Sequence, residues 1–535
     1  MIAIRVNASR SFGLGHLARC RRLAVVLRKC NLQVHFVVDK ENSFFDEYLA
    51  PFNYEGLYRQ DEEFVSEEND AERFVERLQG RHLDAVVVDD YRLSERWEKK
   101  CPEHWLLIVL DDRDVVRHRC GMIVDGKWTG ESTYKRYERK VSDSCVRLLG
   151  PSYLLLDRPS VEMGSTYSGG GGTSGTTKIL VNLGGGSDLA VASKLINHIL
   201  ARASLQQEFL IQPVVGYFGD NKDSIMALAK MDARVVPIIH ERSLLRHIQS
   251  ADLYVGATGG TLYEVLLANV PAITFSISEN QLNNLNDLAD LGHYLHLNAC
   301  AAAAFPRLAE LIWLVLEDRE RLCRLYSYRR AVEIDGLGVD RVAKAIAGLI
   351  AGEPITFLDQ ESNDAGEEGG GDYILVPVDD RHINKYLDAR NWDRNLKNMT
   401  DTKKIDRLDH YLWWFRSERI SYQLQRGSEA LLYIWHQLRT IDGTTVLVGG
   451  WFVCSDNCGS IDALYGLSQQ LAITDKEYPG VPWVAVIKKT NQFVRSLNHR
   501  LGFSEMPEAH SLYGVVQQCF PLASEELFCY YYRRA

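Results

Sequence analysis

Three glycine-bearing turns hold the residues best suited to chemistry, and each stands where an apolar run gives way to an amphipathic one. The first is Ser11-Phe-Gly-Leu-Gly-His16. Glycines at 13 and 15 permit a tight turn and close approach to the backbone. A helix starting there presents unpaired N–H groups and a positive dipole end to an anion. The turn falls short of a full G-x-G-x-x-G dinucleotide fingerprint, since Ala18 follows His16 by two residues and no acid is placed to read a ribose. His16 occupies the place of a general base or a phosphate-contacting donor; a helix-start histidine that caps or faces solvent is the plainer alternative.

The second turn, Leu183-Gly-Gly-Gly-Ser-Asp188, is a candidate phosphate cradle that includes Gly185, or else an ordinary strand-to-helix turn. The third, Gly256-Ala-Thr-Gly-Gly-Thr261, contains Gly259 and Gly260 and is followed by Glu264 in the first helical turn. A carboxylate there either accepts hydrogen bonds from ribose hydroxyls or simply stabilises the helix dipole. Glu279-Asn-Gln281 is expected to open the next helix, placing amides at the same end of the sheet. Three polar loops at consecutive strand ends point to one site. Asp89-Asp-Tyr91 and Asp111-Asp-Arg113 end two strands on the same rim as His16, where paired acids bind a metal, orient a base or stay solvated.

These residues need a scaffold of strand ends. IAIRV, LQVHFVVD, DAVVVDD and WLLIVLDD read as buried strands, and HLARCRRLAVVLRKC places Leu17, Leu23, Ala24 and Leu27 at helical spacing. KILVNLGGG, a helix near 189–203, FLIQPVVGYF, ARVVPIIH, DLYVGATGG and PAITFSI repeat the rhythm. Strands alternating with helices imply a parallel sheet covered on both faces, here twice, with a cleft between the halves. The 164–177 stretch (GSTYSGGGGTSGTT) and the 359–372 stretch (DQESNDAGEEGGGD) have linker composition and divide the chain into blocks 1–163, 178–352 and 373–535.

Composition narrows the function. A chain of 535 residues exceeds one hydrophobic core, and a net charge of −10 with no dense basic stretch argues against nucleic acid as partner. No run reaches the ~18 apolar residues of a membrane span or resembles a signal peptide. Eleven cysteines without C-x-x-C spacing read as free thiols in a reducing cytoplasm.

Taken in order, the motifs resemble a known family. Val6-Asn-Ala-Ser-Arg10, Gly13–Cys20, Val88-Asp-Asp-Tyr91 with Trp97, Leu110-Asp-Asp112 and Leu149–Leu156 come first. Asn182–Asp188, the Gly259–Glu264 loop, Asn280-Gln281, and Ile334-Asp-Gly336 with Arg341-Val342 continue the series over residues 1–350. Together they look like the UDP-2,4-diacetamido-2,4,6-trideoxy-β-L-altropyranose hydrolases of pseudaminic acid biosynthesis. The resemblance implies a GT-B fold and inverting attack of water at the anomeric carbon, with no cofactor or metal required. It makes His16 the catalytic histidine and Tyr91 its companion. Glu264 would bind ribose, Gly260 and Thr261 phosphate, and Asn280 and Gln281 the sugar or diphosphate, with Gly13, Gly15, Arg19, Gly185 and Gly259 lining the same site. The sequence departs from the family at Asn7, where an acid is often found, at Asp90, where histidine is common, and in the glycine-rich 164–177 insertion.

In the third block, Asp388-Ala-Arg-Asn391, His410-Tyr-Leu-Trp-Trp-Phe415, Val448-Gly-Gly-Trp-Phe452, Trp483–Ile487, Asn491 and Leu501-Gly-Phe503 resemble an α+β GNAT-fold N-acyltransferase of the kind that acetylates amino sugars. That implies acetyl-CoA as ligand. The expected diphosphate loop near 455–470 reads Cys454-Ser-Asp-Asn-Cys-Gly-Ser460, short of glycines, so a degenerate binding or scaffolding domain is the rival. The residues at 411–415 fit a core better than a ligand platform. For the whole chain, a cytoplasmic UDP-sugar hydrolase, associating with other sugar-biosynthesis enzymes, leads. A GT-B glycosyltransferase using a UDP-amino sugar and a non-catalytic UDP-sugar-binding protein are the alternatives.

Overall fold

The computed structural model describes residues 1–9, 13–158, 175–184, 186–203, 208–277, 284–353 and 372–534. The chain separates into two compact units, Met1–Asp359 and Gln360–Ala535. The expected linkers, 164–177 and 359–372, fall almost wholly outside the described residues.

The first sheet has seven strands: β1 (Ile2–Val6), β2 (Val34–Val38), β3 (Asn53–Gly56), β4 (Ala85–Asp89), β5 (Leu106–Leu110), β6 (Met122–Asp125) and β7 (Val146–Leu149). All neighbours are parallel, in the order β3-β2-β1-β4-β5-β6-β7. The winding direction reverses between β1 and β4, and such a switch point leaves a crevice at the carboxyl ends of the strands. β1 and β4 bury all five of their residues, because helices cover both faces. Ile2, Ile4 and Val6 pack on one side, Ala3, Val86 and Val88 on the other. The helix Gly15–Lys29 buries Leu17, Leu23, Ala24 and Leu27 as their spacing predicts, together with His16 and Cys20.

The second sheet repeats the winding: β8 (Thr177–Asn182), β9 (Phe209–Val215), β10 (Ile238–Ile239), β11 (Leu253–Ala257), β12 (Ala272–Phe275) and β13 (Leu295–Leu297), in the order β10-β9-β8-β11-β12-β13. The expected strand ARVVPIIH shrinks to two residues, since Pro237 supplies no N–H to the ladder.

Two Rossmann-like sheets in one unit, tied by a final helix that crosses back, make a GT-B fold. The crossing helix is Gly338–Ala351. It follows the second sheet in the chain, yet Val339, Val342, Ala343 and Ile346 join the core built by β1 and the Gly15–Lys29 helix. Its start is fixed by contact with the first lobe. Arg341 donates through Nη1 to the Ser152 carbonyl at 3.0 Å and to Asp335 at 2.8 Å. A Cβ at Gly338 would stand 2.2 Å from the Leu154 carbonyl oxygen and 2.6 Å from its nitrogen. The segments at 149–156 and 334–342 therefore build this seam.

The second unit holds one mixed sheet: β14 (Tyr373–Pro377), β15 (Ile420–Arg426), β16 (Glu429–Ile441), β17 (Thr444–Val453), β18 (Trp483–Lys488), β19 (Ser504–Glu505) and β20 (Phe528–Arg533), ordered β14-β15-β16-β17-β18-β20-β19. Its neighbours are antiparallel except β17 and β18, which run parallel and pair only at Leu447–Trp483 and Val448–Val484 before they part. The helix Ser460–Glu477 connects that pair. This is the GNAT-like α+β arrangement. Among the described residues no helix is long and apolar enough to cross a membrane.

The seam yields a test. Gly338→Ala forces backbone apart and should destabilise the first unit by about 3 kcal/mol, read as a lower thermal midpoint. An unchanged midpoint would show that the seam is not closely packed.

Candidate active site

Asp89 ends β4 as a fully buried carboxylate and gathers three side chains of the Gly15–Lys29 helix. It accepts from His16 Nδ1 at 2.5 Å, from Arg19 through Nε at 2.7 Å and Nη2 at 2.6 Å, and from Cys20 Sγ at 3.2 Å. Residues three and four apart on a helix share a face, so 16, 19 and 20 reach one acceptor together. Burial alone would raise the Asp89 pKa, but Arg19 and His16 outweigh it and hold the carboxyl well below its usual range. Burial also opposes the charge on Arg19, and Asp89 with Asp112 more than compensates. An ionised acceptor on Nδ1 keeps the proton there and leaves the lone pair on Nε2. That is the tautomer of a general base.

Tyr91 fixes the plane of the ring. It stands edge-on to His16, with ring centroids 4.3 Å apart and planes at 89°. Its hydroxyl donates to Asp112, which also accepts from Arg19 Nη1 at 2.9 Å. Arg113 lies over the phenol ring, 3.9 Å from its centroid. Burial first, and then the Asp112 charge, push the Tyr91 pKa far up, so it acts as a donor.

The other acids of the two pairs point elsewhere. Asp90 is held by Arg92, whose Nη groups also reach Asp39 at 2.9 Å. Asp39 accepts from Asn7 at 2.7 Å and from Arg5 at 2.6 Å; the buried Arg5 continues to Asp70, which Trp97 Nε1 meets at 2.8 Å. Asp111 accepts from the Tyr137 hydroxyl at 3.0 Å and from the Arg113 and Asp114 N–H groups. Of the roles open to the pairs, the geometry of Asp89 is that of a carboxylate orienting an imidazole. Among the described residues no three His, Cys, Asp or Glu side chains are grouped to hold a metal.

On the second lobe, Gly259, Gly260 and Thr261 start the helix Thr261–Leu267. A Cβ added at Gly13, Gly15, Gly259 or Gly260 would meet no atom within 4 Å, so the backbone of both turns borders open space. Glu264 lies in the first helical turn, buried, and pairs with Arg22. Burial raises its pKa and Arg22 pulls it back, with a net rise. Arg22 also reaches Asp157 at 3.2 Å and the Leu155 carbonyl at 3.2 Å. This bridge from one lobe to the other was not anticipated; its signal was Arg22 standing one helical turn beyond Arg19. Nearby, the Trp128 N–H donates to the Tyr263 hydroxyl at 3.1 Å.

The Leu183–Asp188 turn largely satisfies itself. Gly184 has φ +99° and donates to Asn182 at 2.9 Å; Ser187 folds back onto the Gly184 carbonyl at 2.7 Å; Asp188 caps the helix Leu189–Arg202 through the Ala190 N–H at 2.9 Å. Gly185, Asn280 and Gln281 lie outside the described residues.

In the second unit, the start of the Ser460–Glu477 helix is crowded with acids. Asp462 accepts from the Gly459 N–H at 2.6 Å, the Tyr373 hydroxyl at 2.6 Å and Arg426 at 3.1 Å. Glu429 accepts from Ser455 at 2.5 Å and Asn457 at 2.8 Å. These carboxylates, with Asp456 between them in the chain, do not fit the diphosphate of an acyl-CoA. Tyr411 and Trp414 are buried, Trp414 donating to Asp380 at 2.7 Å, and Asn491 caps the helix Gln492–Arg500 through the Val494 N–H at 3.2 Å.

No family model matches the chain. The uncharacterized protein MJ1062 of Methanocaldococcus jannaschii is 22% identical over 301 residues, 56% of this chain, and the chain spans 60% of that curated relative's length. The UDP-GlcNAc 2-epimerase from Neisseria meningitidis bound to UDP-GlcNAc aligns with 65% of the chain and 100% of its own, at a TM-score of 0.44 and 10% identity. A protein described as a phosphinothricin N-acetyltransferase aligns with 30% of the chain and 98% of its own, at a TM-score of 0.24 and 16% identity. Likenesses this distant assign no residue a role.

Behind the rim, buried His118 meets Glu98 at 2.7 Å and lies 3.8 Å from Asp111. Burial disfavours its charge, but Asp111 and Glu98 prevail and push the pKa up to about 9. A raised histidine stabilises the fold fully below its unfolded pKa and loses that contribution as pH rises through the folded value. The first unit's thermal midpoint should therefore fall between pH 6.5 and about 9, by the equivalent of about 3 kcal/mol. His118→Gln should flatten the profile; the same slope in that variant would assign it to another group.

Proposed function

We propose that the Met1–Asp359 unit hydrolyses a UDP-linked 2,4-diacetamido-2,4,6-trideoxyhexose at its anomeric C–O bond. One observation supports this most: His16, at a glycine-framed helix start, has Nδ1 on the ionised Asp89 and is held edge-on by Tyr91. Such an imidazole presents the Nε2 lone pair that a general base needs. The motif series shared with the hydrolase family supplies the substrate class.

In this reading Nε2 takes a proton from water as its oxygen bonds to the anomeric carbon. The bond to the β-phosphate oxygen breaks, and its electron pair leaves with UDP. Configuration inverts because water enters opposite the leaving group. Backbone N–H groups of the Gly259–Thr261 turn stabilise the departing diphosphate. Glu264 addresses the ribose once Arg22 yields part of its carboxylate. For the Gln360–Ala535 unit the motif resemblance makes amino-sugar N-acetylation the expectation, but the acids around 429, 456 and 462 weigh against acetyl-CoA.

The test is UDP release from UDP-2,4-diacetamido-2,4,6-trideoxy-β-L-altropyranose with no acceptor present. His16→Ala should reduce the rate about 100-fold or more, and Asp89→Asn should lower kcat at least ~10-fold with little change in KM. Release that waits for an added acceptor hydroxyl would replace hydrolysis with glycosyl transfer. Full activity in His16→Ala would remove the histidine from the chemistry.

A further inference from the structure

Several arginines of the second unit are neutralised: Arg407 meets Asp388 at 3.0 Å, Arg426 meets Asp462 at 3.1 Å and Arg533 meets Asp475 at 2.7 Å. Two partly buried ones are not. Arg390, at the end of the helix Ile383–Arg390, donates Nη2 to the Asp401 carbonyl at 2.8 Å, while its Nη1 is buried without a partner. Arg419, just before β15, lies 3.5 Å from the Trp435 ring centroid and 4.8 Å from that of Trp413, and its Nε is likewise buried and bare. Neither forms an ion pair among the described residues.

Tyr386 joins them. It stands one helical turn before Arg390, and its hydroxyl is buried beside the Arg419 guanidinium without the alignment of a hydrogen bond. Its ring sits among His410, Trp414, Tyr433 and Phe452. The cluster thus has three buried donors, two positive charges and aromatic walls, and no carboxylate within ion-pair distance among the described residues; the Asp401 charge reaches Arg390 only at longer range. Burial depresses both guanidinium pKa values; at Arg390 the Asp401 charge opposes this in part, and Arg419 adds a repelling charge. Stacking on tryptophan explains where Arg419 lies but leaves its Nε–H unsatisfied. Buried polar groups are almost always satisfied, and a buried charge without a counter-charge is among the most costly arrangements in a fold. The planar fork of a guanidinium matches the paired oxygens of a carboxylate or a phosphate.

We propose that Arg390, Arg419 and Tyr386 form a binding site for a small oxyanion, the phosphate or carboxylate group of a metabolite, in the Gln360–Ala535 unit. The site is separate from the His16 centre and does not depend on the hydrolase reading. It gives this unit a ligand whether or not it transfers an acyl group.

The test is calorimetric titration of the full chain with two probes, inorganic phosphate and glucuronate, on wild type, Arg390→Gln and Arg419→Gln. At least one probe should bind wild type and lose tenfold or more in affinity in both variants. Phosphate alone would identify a phosphate ester as the natural ligand, glucuronate alone a sugar acid. No binding of either probe, or equal binding by the variants, would overturn the proposal. Thermal midpoints without ligand guard against misfolding: removing an uncompensated charge should leave the Arg390→Gln midpoint at or above that of wild type. A fall of several degrees would assign Arg390 a purely structural role and would likewise overturn the site.

Discussion

One buried carboxylate organises the first unit. Asp89 stands at the end of β4, beside the switch point where the sheet changes winding direction; His16 and Arg19 are oriented by it directly, and Tyr91 is tied to Arg19 through Asp112. Its charge is balanced by Arg19, its remaining lone pairs by His16 and Cys20. Remove the charge and the arginine is left buried without its main partner, the imidazole loses the acceptor that sets its tautomer, and the helix loses its tie to β4. A buried anion is tolerated here because it is fully hydrogen-bonded and faces a guanidinium.

The same economy runs deeper into the lobe. Asp70, Arg5, Asp39, Arg92 and Asp90 form a chain of alternating charges from under β1 to the rim. Such chains contribute little net stability over an apolar packing, but they tolerate few alternative geometries. Asn7 enters this chain as a neutral donor to Asp39, where a carboxylate would have faced a like charge.

The sequence discloses elements buried on both faces and hides those at edges. β1, β4, β8 and β11 announce themselves as short, mainly apolar runs, and the helical spacing of Leu17, Leu23 and Leu27 is equally plain. β3, Asn-Tyr-Glu-Gly, is a polar edge strand; β6, β7 and β13 are too short for periodicity to register. At the site, His16, Arg19 and Tyr91 stand out by the turn they occupy or by resemblance, and the structure places them together. Asp89 was legible only as one of a pair, because choosing between it and Asp90 requires knowing which faces the helix. Arg22 and the Arg390–Arg419 cluster could not be read at all: a missing counter-charge is a property of three-dimensional neighbours.

The Gly338–Ala351 helix carries a consequence for how such a chain is assembled in evolution. It is encoded after the second lobe but forms part of the floor of the first. The two lobes are therefore not interchangeable modules. A gene break in the glycine-rich stretch at 164–177 would leave an amino-terminal product with an uncovered apolar face and a carboxyl-terminal product ending in a greasy helix. The acidic stretch at 359–372 comes after that helix has docked, so a break there leaves the first unit with its core covered. Fusion and fission of this gene are permitted at one of its two linker-like segments and barred at the other.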